Sequence, residues 1–389
     1  MRGKRIVAFF QHLPPYSGAA ALRGHSILKS LSTRETFAHI TAYCSNSNPS
    51  QINGVDVHAL GGIEVENSLP LRHRLWRELL MGLAAGWRMF MVQKRPHLAI
   101  ISSPGYIAAI VLVFFARLRR VPYVLEMRDI YPQVYAGALL MRSVSPGYRL
   151  LLAVSRKMYA NAQLVICATK GLENAVLADC PKANVQTVYN GFPNSFMNRR
   201  GTKHERFTVC FHGVLGFFQD IDMLLTVVEK LQQHDIDCVV VGYGRKESQI
   251  TASQLKNLRF LGRLPFDKTI DEIEKCHVGL CLRVQSQISE DAFPVKVWEY
   301  LGLGIPSIVS PACEAGDFVG RNNCGFEVAG GDIDGVLDAI LLLREHQTEL
   351  NRFSEACRLV SSEYTRESAG RKIGGLIYEL SGTAEDKNN

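Results

Sequence analysis

The stretch Asp291-Ala-Phe-Pro-Val-Lys-Val-Trp-Glu299, followed by Tyr-Leu-Gly-Leu-Gly304-Ile-Pro-Ser, decides how the rest of the chain is read. Pro294 suits the first position of a helix, where its missing N–H would have had no intrahelical partner. Lys296 and Glu299 then stand three residues apart, on one face of the opening turns. A helix N-terminus has unpaired N–H groups, here those near Phe293 and Val295, and it attracts phosphate; a lysine beside it adds charge. A glutamate one turn further in can accept hydrogen bonds from the vicinal hydroxyls of a sugar. Together these parts could hold a diphosphate-linked sugar. The same pattern also suits a solvated Lys–Glu pair on an ordinary surface helix.

Outward from this stretch, strand-like apolar runs alternate with helical patterns. One set comprises Arg5–Phe10, Thr36–Tyr43, Leu98–Ile101, Tyr123–Glu126 and Leu164–Cys167. A second comprises Phe207–His212, Asp237–Val241, Leu258–Phe260, Val278–Leu282 and Ser307–Val309. Alternating βα units imply parallel sheets covered by helices on both faces, and two sets imply two Rossmann-like domains. The expected fold class is α/β. Asn190-Gly191 and Pro193 punctuate the chain between the sets, and a polar, basic linker follows as far as His204. The expected boundaries are a first domain over 1–195, a second over 196–365, a C-terminal helix over 366–382 and a charged tail over 383–389.

Composition narrows the partners. With 389 residues, 47% hydrophobic and 21% charged, the chain is long enough for two well-filled cores. A net charge of +7 favours anionic partners: a nucleotide sugar, phospholipid head groups or nucleic acid. The basic residues are dispersed and no nucleic-acid-binding signature occurs, which disfavours the last. The 10 cysteines form no C-x-x-C pair, so free thiols in a reducing cytosol are the economical reading. The apolar run Ile6–Phe10 is too short for a signal peptide and reads as a first buried strand. Leu98–Leu118 is cut by Pro104-Gly105 into a strand and an apolar helix, Tyr106–Leu118, short of the roughly 20 residues a membrane span needs.

Leu71–Arg95 stands apart, because it mixes arginines with tryptophan, leucine and methionine. Basic amphipathic helices with tryptophan lie at membrane interfaces, which makes Arg74, Arg77 and Arg88 candidate contacts to acidic lipid. The other reading is a helix packed on the sheet with its arginines in water.

Four segments, in order, carry a family resemblance. They are His12-Leu-Pro-Pro-Tyr-Ser-Gly18-Ala-Ala-Ala-Leu-Arg23, Pro122-Tyr-Val-Leu-Glu126-Met-Arg128-Asp129-Ile-Tyr-Pro132, Phe211-His-Gly213-Val-Leu-Gly216-Phe-Phe-Gln219-Asp-Ile-Asp, and the 291–299 stretch, which is similar to an E-x7-E signature. The chain resembles retaining GT-B glycosyltransferases of family 4, in particular the bacterial branch that builds surface polysaccharides. Such a resemblance implies a GT-B fold: two Rossmann-like domains facing across a cleft, the first for the acceptor and the second for the nucleotide sugar, with the C-terminal helix returning toward the first. Some positions depart from the family pattern. Asp291 replaces the first glutamate, Gly18-Ala19 replaces a Gly-Gly pair, and Val214 and Gln219 replace a basic pair. That leaves Lys296, with Arg263 or Arg283, to neutralise the diphosphate. The histidine that many members carry is not apparent, and Glu126, Arg128 and Asp129 occupy its stretch.

The resemblance implies roles. Lys296 and the N–H groups near Phe293 and Val295 would stabilise the departing diphosphate. Glu299 would hold the ribose, and Asp291 would contact the donor sugar where positive charge develops. Gly18 would let a loop approach phosphate. Gly213 and Gly216 would line the crevice after a first strand, and Asp129 would position or deprotonate the acceptor hydroxyl. Asp291 also suits a helix cap, Gly18 a plain turn, and Asp129 an ion pair with Arg128. The implied donor is a nucleotide-diphosphate sugar, UDP rather than GDP. The implied acceptor is a saccharide, free or lipid-linked, reached in the cytoplasm or at the inner face of the membrane. No cofactor is implied. The three Asp-x-Asp pairs, at 220/222, 235/237 and 332/334, fall at helix starts or strand edges, so the expected reaction is metal-independent.

Three other functions compete with this reading. A nucleotide-sugar epimerase keeps the fold. A nicotinamide oxidoreductase would need G-x-G-x-x-G after the first strand, where this chain has Pro14-Pro15 and only Gly18. A partner without chemistry would keep the fold alone.

Overall fold

The computed structural model describes residues 3–16, 18–61, 71–137, 141–290 and 292–383. Two compact units emerge. The first combines Met1–Asn190 with Arg366–Asn389, and the second is Gly191–Thr365. The chain therefore changes unit inside the Asn190-Gly191 punctuation, rather than after 195. The closing helix, Arg366–Thr383, belongs to the first unit. Tail residues 384–389 lie outside the described residues.

The first unit is built on seven strands: β1 (Lys4–Phe9), β2 (Phe37–Cys44), β3 (Asp56–Ala59), β4 (Leu98–Ser103), β5 (Tyr123–Met127), β6 (Leu164–Cys167) and β7 (Val185–Thr187). They pair in parallel in the order β3-β2-β1-β4-β5-β6-β7. Burial on both faces explains the unbroken apolar runs. In β1, Ile6 and Ala8 face one core, with Ile27, Leu28 and Leu31 of helix α1 (Ala19–Ser32) and Ile373 and Ile377 of the closing helix. Val7 and Phe9 face the other, under helices α2 (Leu71–Met91) and α3 (Tyr106–Leu118). Gly82 and Gly86 make the α2–α3 approach possible: a Cβ on Gly86 would lie 2.3 Å from the Phe115 ring.

The second unit carries six parallel strands: β8 (Thr208–Val214), β9 (Asp237–Tyr243), β10 (Leu258–Phe260), β11 (Val278–Leu282), β12 (Ser307–Ser310) and β13 (Gly325–Glu327). Their order is β10-β9-β8-β11-β12-β13. The direction of winding reverses between β8 and β11. In open α/β sheets, ligands bind outside the carboxyl ends of the strands at such a reversal. At the margin of this unit the incoming and outgoing chain run side by side: Phe192 N–H donates to Tyr364 C=O at 3.2 Å, and Phe192 bridges Thr365.

The interior strands fall where the apolar runs predict. The edge strands β3, β7 and β13 were not anticipated. They are three or four residues long and only partly buried, so no sustained apolar run marks them.

Candidate active site

The loops leaving β8 and β11 meet at the reversal point of the second sheet. Gln219 and Arg283 form an isolated antiparallel bridge there. The helix Val295–Leu303 supplies the third wall. Pro294 is its extended cap, with φ −62° and ψ 132°, one residue earlier than the sequence reading placed it. Lys296 and Glu299 are both buried, which excludes the solvated surface pair.

Lys296 Nζ donates to Gln219 Oε1 at 2.9 Å and sits 3.6 Å from the centroid of the Phe211 ring, a cation–π contact. Burial pushes the Lys296 ammonium down to about 8; the Arg283 charge acts in the same direction and Glu299 opposes it. Lys246, which the sequence reading did not single out, donates from Nζ to the Gln219 carbonyl at 2.8 Å. Arg283 is buried, and that burial lowers its pKa. Lys246, Lys296 and Arg283 therefore gather around Gln219, at a place where the family pattern has basic side chains. Gly213 has φ +118°, a conformation that L side chains rarely adopt, and it brings the loop beside Lys296. Gly216 closes a tight turn, its N–H donating to Val214 C=O at 2.8 Å.

Glu299 Oε2 lies 3.5 Å from His212 Nε2, and the His212 imidazole stands edge-on to Tyr300, with centroids 5.1 Å apart. Burial pushes His212 down to about 3, with the Lys296 charge adding to the effect, so the ring is neutral. Phe293 stacks on Trp298 at 4.0 Å and anchors the approach to the helix, while Val295 at its start is half-buried. Arg263 is not part of this cluster. It is exposed and lies over the Tyr243 ring at 4.4 Å, at the end of β9. Asp291 lies outside the described residues. Asp220 and Asp332 cap helices, accepting from Met223 N–H at 3.0 Å and Gly335 N–H at 2.9 Å. Among the described residues no group of three His, Cys, Asp or Glu is placed to hold a metal ion.

In the first unit, Glu126 at the end of β5 is fully buried. It accepts from Arg23 Nε at 2.7 Å, Ser102 Oγ at 2.6 Å and Arg128 Nε at 3.3 Å. Burial alone would raise its pKa; Arg128, Arg23 and Ser102 outweigh that and hold the carboxyl below its usual value. Arg128 is thereby engaged with Glu126 and with Ala20 C=O, not with Asp129. Asp129 is an exposed residue, yet the protein crowding its carboxyl raises its pKa, against the charges of Arg128 and Arg74. Tyr131 stacks on Tyr106 at 5.0 Å, and its carbonyl accepts from Ser155 Oγ at 3.1 Å, which fixes the loop carrying Asp129. Gly18 caps α1, its carbonyl accepting from Leu22 N–H at 3.2 Å.

Two family matches bear on this arrangement. Residues 194–360 match the family described as glycosyl transferases group 1, and residues 32–191 match the glycosyl transferase 4-like domain. The chain is a GT-B glycosyltransferase. Among solved structures, HepE of Anabaena in complex with UDP is similar at 15% identity and TM-score 0.69, covering 96% of this chain and 100% of that one. Sucrose-phosphate synthase of Thermosynechococcus elongatus is similar at 12% identity and TM-score 0.73, covering 98% and 100%. WaaG, a glycosyltransferase involved in lipopolysaccharide biosynthesis, is similar at 11% identity and TM-score 0.67, covering 96% and 99%. No curated protein matches the chain. Both matched families are transferases, and nothing in them favours the epimerase.

The transferase has one further feature in its first unit. Glu78, Met81, Gly82, Ala85, Gly86 and Met89 form the buried face of α2, yet its outer face is also apolar. Trp76 is 59% exposed and Trp87 56%, with Leu83 and Met91 on the same stripe; Phe114, at 61%, and Leu118 of α3 continue it. Glu78 is the sole acid of the two helices and is buried. Arg72, Arg117 and Arg120 are exposed around the patch. The arginines singled out from sequence stand otherwise. Arg74 is turned inward rather than toward lipid: it is partly buried, and its Nε donates to Glu78 at 3.2 Å, because Glu78 needs a partner one turn away. Arg77 is half-buried. Arg88 is exposed but leans back over the Tyr43 ring and donates to Ala59 C=O at 3.4 Å. Arg119 caps the end of α2, donating to Met89 C=O at 2.7 Å. No helix among the described residues is long and apolar enough to cross a membrane.

Proposed function

We propose that this glycosyltransferase transfers a sugar with retention of anomeric configuration, from a UDP-linked donor to a saccharide carried on lipid, in the assembly of a surface polysaccharide. The observation that carries this reading is the cluster of Lys296, Lys246 and Arg283 around Gln219, one helical turn from Glu299 at the reversal of the second sheet. During transfer the bond from the anomeric carbon to the diphosphate oxygen breaks, and the electron pair leaves with the diphosphate. Preorganised cations facing that oxygen stabilise the transition state more than the ground state. Lys296 and Lys246 take that role, with the first N–H groups of the helix Val295–Leu303 beside them. Glu299 accepts from the ribose hydroxyls. With three cationic side chains in place, the leaving group needs no divalent ion.

The first unit supplies the acceptor side. The acceptor oxygen bonds to the anomeric carbon and gives up its proton; Asp129, whose pKa is raised, takes that proton more readily than an ordinary aspartate. The apolar, base-rimmed face of α2 and α3 suits an anionic membrane surface, where a lipid-linked acceptor is found. The UDP of the Anabaena structure and the lipopolysaccharide role in the name of WaaG support the same reading.

The test is a panel of UDP- and GDP-sugars offered with lipid-pyrophosphate saccharides, in EDTA and in Mg2+, with the product anomer read by NMR. The expected result is acceptor-dependent transfer from one UDP-sugar, undiminished by EDTA, with the donor configuration kept. Conversion of the donor without any acceptor would overturn it in favour of epimerisation, and an inverted product would remove the retaining mechanism.

A further inference from the structure

The donor-side cluster contains one buried group for which the proposed chemistry has no use. His212 lies on β8, between the apolar Phe211 and Gly213, and is 5% exposed. Its Nε2 is buried and has no hydrogen-bond partner. Leaving such an atom unpaired is costly, and an apolar side chain at this place would avoid the cost. The ring cannot turn away freely, because it is held edge-on against Tyr300. Tyr300 is itself fixed, its hydroxyl donating to Cys210 C=O at 3.3 Å and Leu280 C=O at 3.2 Å. The unpaired nitrogen is held 3.5 Å from Glu299 Oε2, a small carboxylate rotation short of a hydrogen bond.

We infer that His212 is the positioning residue for Glu299, donating from Nε2–H to Oε2 when a nucleoside diphosphate occupies the site. A carboxylate oxygen has lone pairs for two donors. With one taken by His212, the plane of the carboxylate is set for accepting from the vicinal diol of the ribose. The neutral ring serves this purpose in its Nε2–H tautomer. It fixes direction without adding a charge that would repel Lys296. The inference rests on the reading of Glu299 as the ribose contact.

The experiment measures binding of UDP and 2′-deoxy-UDP by titration calorimetry to the whole chain, in the wild type and in three variants. His212→Phe keeps the ring and its edge contact but removes the donor. His212→Asn places its amide near the Nδ1 position, and His212→Gln places it near Nε2. In the wild type UDP binds more tightly than its deoxy analogue. In His212→Phe and His212→Asn, UDP should weaken by about tenfold, the worth of one hydrogen bond to a charged group, with deoxy-UDP nearly unchanged. His212→Gln should recover most of the discrimination. In a Glu299→Ala background, His212→Phe should change nothing further. Equal weakening of both nucleotides, or Asn and Gln variants that behave alike, would make His212 a packing residue and overturn the inference. Should the wild type not distinguish the two nucleotides, the ribose role of Glu299 fails first. Should it bind neither, the donor reading itself fails.

Discussion

Lys296 and Gln219 are joined by a hydrogen bond of 2.9 Å between a buried ammonium and an amide oxygen. The amide stands where the family pattern has a base, so its oxygen holds a cation in place instead of repelling it. A second lysine, Lys246, reaches the same residue through its backbone carbonyl. Positive charge reaches the reversal point of the sheet from a helix and from a neighbouring loop, rather than from the segment after β8.

Removing these ammonium groups should weaken diphosphate binding in a graded way. Lys296→Met keeps the apolar stem over Phe211 and removes one charged donor. Such a bond is worth about 1.5–3 kcal/mol, so UDP affinity should fall by roughly 10- to 150-fold. Lys246→Met, at a half-exposed site, should cost less. Calorimetric titration of each variant measures both losses, and unchanged affinity in Lys296→Met would reduce Lys296 to a structural cation.

Donor affinity should depend on pH through Lys296. The folded-state value is lowered to about 8, so the free protein carries the charge below that pH and loses it above. UDP should therefore bind well at pH 7 and progressively less well as pH rises past 8. By linkage, burying the charged form costs stability below about pH 8, and that cost fades as pH rises toward the unfolded lysine value. A binding profile between pH 6 and 9.5 should show the inflection in the wild type and lack it in Lys296→Met.

The apolar face of α2 and α3 should bind anionic vesicles through tryptophan rather than through Arg74. Trp76→Ala combined with Trp87→Ala should abolish most co-sedimentation with vesicles containing phosphatidylglycerol, while leaving UDP affinity as it is. Arg74→Gln, which removes a partner of Glu78, should leave vesicle binding largely intact. The reverse ranking would return the docking role to the arginines.

Glu126 should matter to folding of the first unit. Taking one partner from a buried ion pair costs about 3–5 kcal/mol, so Glu126→Gln should lower the melting temperature markedly. The carboxyl is held below its usual value, so its stabilising contribution is complete above the unfolded carboxylate range and is lost as pH falls through the folded value. The variant should consequently show a weaker stability gain between pH 3 and 5 than the wild type, measured by thermal melts.

Most of the sheet framework was legible because strands buried on both faces leave apolar runs. The helix that carries Lys296 and Glu299 was legible as well, since helix-start chemistry is local and Pro294 marks it. The contacts of His212 and Lys246 were not. Each meets a neighbour distant in sequence, brought close only by the winding of β8, β9 and β11. The pairing of Arg74 with Glu78 was hidden for a related reason. Helical spacing shows which residues share a face, but the burial of Glu78 against α3 decides which way that arginine turns. Arg263 was drawn to Tyr243 by an aromatic ring that spacing alone cannot locate.

The pairing of Phe192 with Tyr364 and Thr365 means that the second unit begins and finishes at one spot. Gly191–Thr365 is thus topologically a cassette set into the first fold. It is one continuous piece, bounded by a single entry and a single exit. The host can be resealed by a short turn from Asn190 to Arg366, because the same crossing already keeps those flanks close. Exchange of such a cassette between relatives would leave the whole of the first unit's sequence unaltered.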